Sequence, residues 1–192
     1  LMGIKFPENF NFPYMAASPR EFWQKWHISL SSWIRDYLYL PLMGVKFQTT
    51  SLGGLAQATE TDQKSKRNAT LMLFLTWAIM GLWHGSNWTF LFWGIYHAFF
   101  IFVYRLISTY IKGEERGYLF KIISWLLTLT IAMLGWIPFR AESLDHTFIL
   151  YSKLFIPSEY LYLGMRENIY IVTFMMLVLT VISYGVFKNR TD

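Results

Sequence analysis

Two histidines are the residues of this sequence best suited to chemistry. His84 lies in a long apolar stretch beside Gly85, and His27 lies among tryptophans 57 residues earlier. A neutral imidazole accepts a proton near pH 7, so His84 could activate a hydroxyl for acyl transfer, and His27 could line the same cavity as a second polar group. A buried histidine packed between Trp83 and Trp88 is an equally good interpretation of His84. An amphipathic anchor is the simpler interpretation of His27.

Other polar residues admit similar alternatives. Arg35 and Asp36 are adjacent and could form an ion pair near a membrane surface, but two separately solvated charges explain them equally well. His97 lies between aromatic residues and is most simply a packed helix residue. His146 follows Asp145 and is most simply solvent-facing.

Several classes of site are excluded by composition and motif. The chain has no cysteine, which removes disulfides, thiolate metal sites and a cysteine nucleophile. It also has no Gly-x-Ser-x-Gly elbow, no glycine-rich phosphate loop and no His-Glu-x-x-His zinc helix. His27 and His84 have no identifiable third partner, so the sequence predicts no metal site.

The composition indicates a membrane protein. Of 192 residues, 54% are hydrophobic and 20% are aromatic, while only 15% are charged, against roughly 25% in soluble domains. The net charge of +5 is spread as single residues between apolar runs. This pattern is typical of basic residues that flank membrane spans and contact anionic lipids, rather than of basic residues that bind the phosphates of a nucleic acid. We therefore expect a lipid bilayer, and no nucleic acid, as a partner.

The histidine of greatest interest lies where an apolar run must break. Residues 68–104 form an uncharged stretch of 37 residues, whereas one membrane span needs about 20. Glycines and a Ser-Asn pair bracket His84, which predicts the break there. Residues 68–111 are therefore predicted to form a broken helix pair. Irregular backbone at membrane depth requires surrounding protein or a water-filled cavity.

Two further runs complete the predicted membrane helices. Residues 118–139 and 168–187 are each apolar enough and long enough to cross a bilayer, and Pro138 predicts the end of the first. The predicted fold class is all-α, a polytopic helical membrane protein with about four membrane helices and one further amphipathic helix.

The amphipathic helix is predicted over residues 17–43. Ser18 followed by Pro19 is typical of a helix start, and Pro41 is typical of a helix end. Between them, aromatic and aliphatic residues fall on one broad face and polar residues on the other, with His27 on the apolar face. The pattern predicts one continuous interfacial or re-entrant helix.

Basic residues predict the orientation. If residues 68–104 fold as a hairpin, the predicted polar loop 44–67 and the segment 105–121 lie on one side. Each carries four Lys or Arg residues, against three in the longer segment 140–167. The positive-inside rule therefore places the loop, the segment 105–121 and the C-terminus in the cytoplasm.

Two long blocks carry the histidines in a familiar order. Residues 21–42 contain Trp-His-Ile-Ser and end in Tyr-Leu-Pro-Leu, and residues 81–90 read Gly-Leu-Trp-His-Gly-Ser-Asn-Trp-Thr-Phe. The run Lys-Phe-Pro-Glu-Asn-Phe at residues 5–10 precedes them. Together they resemble the membrane-bound O-acyltransferase family, in particular its bacterial alginate O-acetyltransferase branch. The likeness is strong from about residue 6 to residue 97, and later spans match by hydropathy.

The resemblance implies roles for the residues of these blocks. His84 corresponds to the catalytic histidine of the Trp-His-Gly block, and His27 to a second site residue. We expect tryptophans to wall a membrane-embedded tunnel and polar residues of the blocks to contact substrate. The predicted substrate-binding set is Trp23, Trp26, Trp83, Trp88, Asn87, Arg35 and Asp36.

The resemblance also implies a reaction and a location. Family members carry an acyl group from a cytoplasmic thioester donor, such as acetyl-CoA, to a hydroxyl acceptor. We therefore expect no bound cofactor, a thioester co-substrate, an exported alginate-like polysaccharide as acceptor and periplasmic acetyltransferase proteins as partners. The implied location is the bacterial inner membrane, as a multi-pass protein.

The family is about twice as long as this chain, and its other helices precede these motifs. We therefore expect a C-terminal catalytic portion that packs against N-terminal membrane helices of the same protein. The polar segment after Leu42 is longer than the branch's usual Gly-Gly turn, which puts loop contacts with partners in doubt. Two alternatives stay open, namely transfer of D-alanine to teichoic acid and a non-enzymatic channel or scaffold subunit.

Overall fold

A computed structural model describes residues 7–45, 48–49, 55–56, 69–110, 117–156, 158 and 175–185. The chain divides into two compact units, Leu1–Thr147 and Phe148–Asp192. All the site residues predicted from the sequence belong to the first unit, which is therefore the one that matters for function.

The predicted amphipathic segment is helical but not continuous. A 3₁₀ turn, Pro13–Met15, precedes α1 (Pro19–Lys25) and α2 (Ile28–Ile34), and α2 continues through a π-helical turn, Arg35–Tyr39, into α3 (Leu40–Leu42).

The predicted start of this segment is confirmed. The Ser18 side chain accepts a hydrogen bond from the Glu21 backbone N–H at 3.1 Å, and Pro19 occupies the first helical position. The Glu21 carboxylate accepts in turn from the Ala17 N–H at 2.8 Å. Polar residues on both sides of the first turn therefore satisfy backbone donors that a helix start leaves unpaired.

The prediction of a single helix over residues 17–43 is wrong at His27. This residue has φ 46° and ψ 56°, the left-handed conformation, and it precedes α2 as its N-cap. The Ile28 N–H donates to the Asn9 carbonyl at 2.9 Å, and the Ser29 N–H donates to the Asn9 side chain at 2.9 Å. Hydrogen bonds to Asn9 thus replace the helical hydrogen bonds at this point. Hydrophobic periodicity cannot predict such contacts with a distant residue.

The predicted polar loop 44–67 contains one regular element within the described residues. Strand β1 (Gln48–Thr49) pairs antiparallel with β2 (Leu55–Ala56), with Gln48 opposite Ala56. The rest of this predicted loop beyond residue 45 lies outside the described residues.

The predicted break near His84 is confirmed. Helix α4 (Ala69–His84) and helix α5 (Trp88–Tyr110) are separated by residues 85–87. Helix α5 has 23 residues and is long and apolar enough to cross a membrane, whereas α4 belongs to the shorter apolar helices.

Two glycines let α4 and α5 cross closely. A Cβ atom at Gly81 would overlap the Phe90 carbonyl oxygen, and one at Gly94 would overlap the Trp77 carbonyl oxygen. Small residues at a crossing allow this backbone approach, which is characteristic of helix pairs in membranes. The crossing brings the end of α4 against the first turns of α5.

Helix α6 (Tyr118–Arg140) is the second helix long and apolar enough to span. The helix was predicted over residues 118–139, and α6 ends one residue later, at Arg140, before Ala141 adopts an extended conformation. Proline near a helix end removes one donor without preventing a last turn.

Two later helices complete the described elements. Helix α7 (Leu144–Lys153) follows α6 and was not predicted, and α8 (Met175–Gly185) lies inside the span predicted for residues 168–187. The described part of the chain is thus helical apart from one strand pair, and its long apolar helices confirm the predicted class of helical membrane protein.

The core of the first unit joins α2, α4 and α5. Large apolar side chains from the three helices are at most 9% exposed. They form one cluster: Ile34, Leu73, Trp77, Met80, Trp93, Ala98 and Ile101. A smaller cluster, made of Ala16, Phe22 and Ala132, ties the N-terminal segment to α6.

Candidate active site

His84 is the last residue of α4 and lies in an aromatic setting. The Trp93 ring of α5 meets it edge-on with centroids 5.2 Å apart, and the Phe139 ring of α6 does the same at 5.1 Å. Trp83 approaches from the neighbouring position at 5.0 Å. His84 itself is half-buried. Three helices therefore hold one imidazole that keeps part of its surface accessible.

Gly85, the residue after His84, leaves room for the aromatic ring of Phe90. A Cβ atom there would overlap the ring of Phe90, which in turn packs edge-on against Phe139 at 5.2 Å. A side chain at this position would require the Phe90 ring to move. The glycine of the Trp-His-Gly block thus has a local packing role beside the imidazole.

Asn87 closes the turn between α4 and α5. Its side-chain oxygen accepts from the Thr89 backbone N–H at 3.2 Å, which is an N-cap contact for α5. Its side-chain nitrogen donates to the Glu142 carbonyl at 2.9 Å, beyond the end of α6. Both ends of this amide are therefore used within the chain, although the sequence suggested a substrate contact.

His27 reaches the same region from the opposite side of the fold. It lies between α1 and α2, half-buried, with the Phe10 ring 5.9 Å away. Its Nδ1 atom is buried and has no hydrogen-bond partner among the described residues. Trp26, the residue before His27, packs against Trp136, and the Trp136 ring lies 5.9 Å from Phe139, which contacts His84. A series of aromatic contacts thus connects the neighbourhoods of two histidines that are 57 residues apart in sequence.

Trp93 connects His84 to a layer of aromatic residues in the interior. It is 2% exposed, and its ring lies 5.1 Å from His97, which is 3% exposed, so the sequence-based interpretation of His97 as a packed helix residue agrees with its burial. Trp23 contacts His97 at 4.9 Å and Trp77 at 4.7 Å. The layer of Trp23, Trp77, Trp93 and His97 therefore lies directly behind His84.

The residues that surround His84 were largely missed by sequence reasoning. Trp93 and Phe139 were not assigned to the site, because a motif-based reading favours residues adjacent to the histidines. A signal was available in α5, where Thr89, Trp93, His97 and Ile101 are buried and spaced by four. This spacing places them on one helix face that points toward α4.

The four tryptophans predicted to wall a tunnel have different positions. Trp23 belongs to the interior layer, and Trp26 packs against Trp136 of α6 at 4.9 Å. Trp83 and Trp88 are 66% and 70% exposed, and both flank the turn that holds His84. Trp23 and Trp26 are thus half-buried, while Trp83 and Trp88 are exposed beside the turn.

Arg35 and Asp36 form the ion pair that the sequence left open. The Arg35 Nε atom donates to Asp36 Oδ1 at 2.7 Å, within the π-helical turn. This hydrogen bond to Asp36 raises the pKa of Arg35. Arg35 lines a cavity between α1, α2, α4 and α5 and is not part of the aromatic setting of His84.

Several buried polar atoms have no hydrogen-bond partner in the described part of the chain. Native interiors pair nearly all such atoms with protein groups or ordered water, so the exceptions are informative. They gather near the two histidines and their aromatic layer: His27 Nδ1, Thr76 Oγ1, Thr89 Oγ1, Trp93 Nε1, His97 Nε2 and Trp136 Nε1. Within the described residues, no group of three or more His, Cys, Asp and Glu side chains could hold a metal ion.

Comparison with known proteins identifies the fold family. The chain is 33% identical over 190 residues to the probable alginate O-acetylase of Azotobacter vinelandii, an alignment that covers 97% of this chain and 34% of the relative. It is 36% identical over 146 residues to the peptidoglycan O-acetyltransferase of Helicobacter pylori, covering 74% and 24% respectively. The chain belongs to the membrane-bound O-acyltransferase family. No family model matches it.

A third relative represents another branch of the membrane-bound O-acyltransferases. The teichoic acid D-alanyltransferase of Bacillus subtilis is 32% identical over 149 residues, covering 76% of this chain and 35% of the relative. The chain thus spans about a quarter to a third of the length of the curated relatives it matches, so the alginate and peptidoglycan relatives are about three times as long as the chain and not twice as long as expected from the sequence. The matched part of these acyltransferases is their C-terminal part.

Proposed function

We propose that the full-length protein is a membrane O-acyltransferase that moves an acetyl group from a cytoplasmic thioester donor to a hydroxyl of an exported polysaccharide. The observation that carries the proposal is the setting of His84, a half-buried imidazole at a helix break with Trp93 and Phe139 on its edges. Relatives named O-acetylase and O-acetyltransferase support the reaction class.

The proposed chemistry assigns proton transfer to His84. Its neutral imidazole accepts the proton of the acceptor hydroxyl as the oxygen attacks the thioester carbonyl. A C–O bond forms, the C–S bond breaks, and the leaving thiolate takes the proton. The acceptor is either the polysaccharide itself or the hydroxyl of a periplasmic relay protein. His27 orients the donor or the acceptor.

The same proposal extends to location and partners. We assign the protein to the bacterial inner membrane as a multi-pass protein, with its N-terminal membrane helices packed on this chain. Periplasmic acetyltransferase proteins would complete transfer to an alginate-like polymer. Acetyl-CoA or a similar thioester is the co-substrate, and the assignment requires no bound cofactor.

The decisive experiment replaces His84 in the full-length protein. His84→Ala should lower polysaccharide acetylation in membranes by at least about a hundredfold, since general base catalysis contributes about 10²–10⁴. His146→Ala is the matched control, because His146 lies in α7 outside the aromatic setting of His84. Wild-type acetylation by His84→Ala protein, with normal amounts in the membrane, would end the assignment.

D-Alanyl transfer is the second candidate, favoured by the 32% identity to a teichoic acid D-alanyltransferase. Assays that offer acetyl and D-alanyl thioesters in parallel separate the two reactions. A channel or scaffold subunit would release neither acyl group above background, and its histidine variants would behave as wild type.

A further inference from the structure

A short segment near the start of the chain contacts both sides of the turn at His27. The Asn11 backbone N–H donates a hydrogen bond to the carbonyl of Lys25, the last residue of α1, at 3.0 Å. The Asn9 carbonyl accepts one from the N–H of Ile28, the first residue of α2, at 2.9 Å. The same segment therefore fixes the end of one helix and the start of the next.

The Asn9 side chain takes the place of a helix cap. Its Oδ1 atom accepts hydrogen bonds from the Ser29 backbone N–H at 2.9 Å and from the Ser29 hydroxyl at 2.7 Å. A backbone N–H can only donate, so the amide atom that it meets is the oxygen. Helix starts need such an acceptor because their first N–H groups have no partner within the helix. Asn9 supplies it from 20 residues away.

His27 occupies the N-cap position of α2 without capping the helix. Its side chain makes no cap hydrogen bond, and its backbone has the left-handed conformation, with φ 46°. This conformation is unfavourable for a residue with a Cβ atom, so other contacts must maintain it. The next two backbone N–H groups, of Ile28 and Ser29, both donate to Asn9. Asn9 therefore maintains the turn and takes over the capping role that an N-cap side chain usually has.

The His27 imidazole is consequently not used by the turn itself. Its Nδ1 atom is buried and has no hydrogen-bond partner among the described residues. The ring of Phe10, the residue after Asn9, lies 5.9 Å from the imidazole and meets Trp26 edge-on at 5.0 Å. The segment that caps α2 thus also contacts the imidazole, so the position of this segment and the orientation of the imidazole are linked.

We propose that Asn9 is a positioning residue for His27. Through Ile28 and Ser29 it maintains the left-handed turn, and the turn sets the direction in which the imidazole points. The inference rests on the proposed function, in which His27 orients the donor or the acceptor. Asn9 acts through His27 and touches neither substrate.

Variants of the full-length protein test the role of the Asn9 oxygen. Asn9→Ala removes the acceptor of both Ser29 hydrogen bonds, whereas Asn9→Asp keeps an oxygen there. We expect kcat for acyl transfer to fall about ten- to a hundredfold in Asn9→Ala, as for a site residue displaced by about 1 Å, and Asn9→Asp to recover most of this loss. Asn11→Ala is the matched control, because it keeps the backbone hydrogen bond to Lys25.

The same substitution in a His27→Gly background separates positioning from general stability. Glycine adopts the left-handed conformation freely and has no imidazole to orient. Asn9→Ala should therefore cause no further fall in kcat in this background, although it should lower the Tm in both backgrounds. A purely structural role for Asn9 predicts the same fall in kcat with and without the imidazole.

Equal falls in kcat in the two backgrounds overturn the inference, as does an Asn9→Asp variant as impaired as Asn9→Ala. If Asn9→Ala protein does not accumulate in membranes, Ser29→Ala replaces it, because this change removes only the hydroxyl hydrogen bond to Asn9 and keeps the backbone one. Its smaller fall in kcat should likewise disappear in His27→Gly.

The His27→Gly variant also distinguishes this inference from the proposed function. Full activity in His27→Gly would overturn the role of His27 in acyl transfer and the role of Asn9 with it. Low activity in His27→Gly, together with wild-type kcat in Asn9→Ala, would overturn the role of Asn9 alone.

Discussion

Gly135 of α6 lies directly against the His97 ring of α5, with its Cβ position only 2.6 Å from His97 Nε2. Tyr96 stands 3.2 Å from the same point and donates a hydrogen bond to the Ile131 carbonyl at 2.9 Å. The α5–α6 interface is therefore built around a missing side chain. That interface also brings Phe139 to His84.

Gly135→Ala should destabilise the protein, because the added methyl group must displace a buried imidazole. Overpacking of this kind costs about 1–3 kcal/mol. Thermal unfolding of the full-length protein in detergent measures the effect as a lower Tm. Gly117→Ala is the control, since its Cβ position has nothing within 4 Å. A Tm equal to wild type for Gly135→Ala would show that the interface can open without cost.

Trp93→Leu should lower turnover without abolishing substrate binding. The substitution removes the ring edge that positions His84, and misplacement of a catalytic group by about 1 Å can cost about a hundredfold. Steady-state acyl transfer should therefore show a fall in kcat of about ten- to a hundredfold with a smaller change in KM. Trp33→Leu serves as the control, since Trp33 is 57% exposed. Unchanged kcat in a folded Trp93→Leu variant would remove Trp93 from the site.

Asn87→Ala should cost about 1–2 kcal/mol of stability, because the α5 cap contact to Thr89 is lost. Asn87→Asp should be intermediate. It keeps an oxygen for the Thr89 N–H but loses the donor to the Glu142 carbonyl. Comparison of the Tm values of the three proteins tests the order. Equal Tm values for Asn87→Ala and wild type would show that the two hydrogen bonds of the Asn87 side chain do not contribute to stability.

His27 variants separate backbone strain from side-chain chemistry. Alanine in the left-handed conformation at φ 46° costs about 1–2 kcal/mol, whereas glycine adopts it freely. His27→Gly should thus have a higher Tm than His27→Ala, although both lose the imidazole. If His27 contacts substrate or donor, both variants should lose acyl transfer to the same extent. Full activity in His27→Gly would assign His27 to the turn alone.

Much of the helical architecture could be predicted from the sequence. The low charge, the 37-residue uncharged stretch and the glycines around His84 predicted apolar helices broken at that histidine, and α4 and α5 have this arrangement. Ser18 and Pro19 predicted a helix start that the hydrogen bond to Glu21 confirms. These features depend on neighbours along the chain, so local sequence suffices to predict them.

Other features depended on distant residues. Periodicity predicted one helix through His27, but Asn9 pairs with both Ile28 and Ser29 and turns the chain there. The motif predicted Asn87 as a substrate contact, and it did not predict that the Asn87 side-chain nitrogen also donates a hydrogen bond to the Glu142 carbonyl, 55 residues away. Such hydrogen bonds join segments whose proximity no local pattern encodes.

The sequence by itself therefore determined the class of protein, the break at His84 and the two histidine blocks. Only the tertiary structure decided which rings surround the imidazole. Trp93 comes from α5 and Phe139 from α6. They meet His84 because Gly81 and Gly94 let α4 and α5 cross at backbone distance, and because Gly135 leaves room on α6 for the His97 ring of α5. Helix packing depends on surface shape at each crossing, and shape emerges only when all three helices are in place.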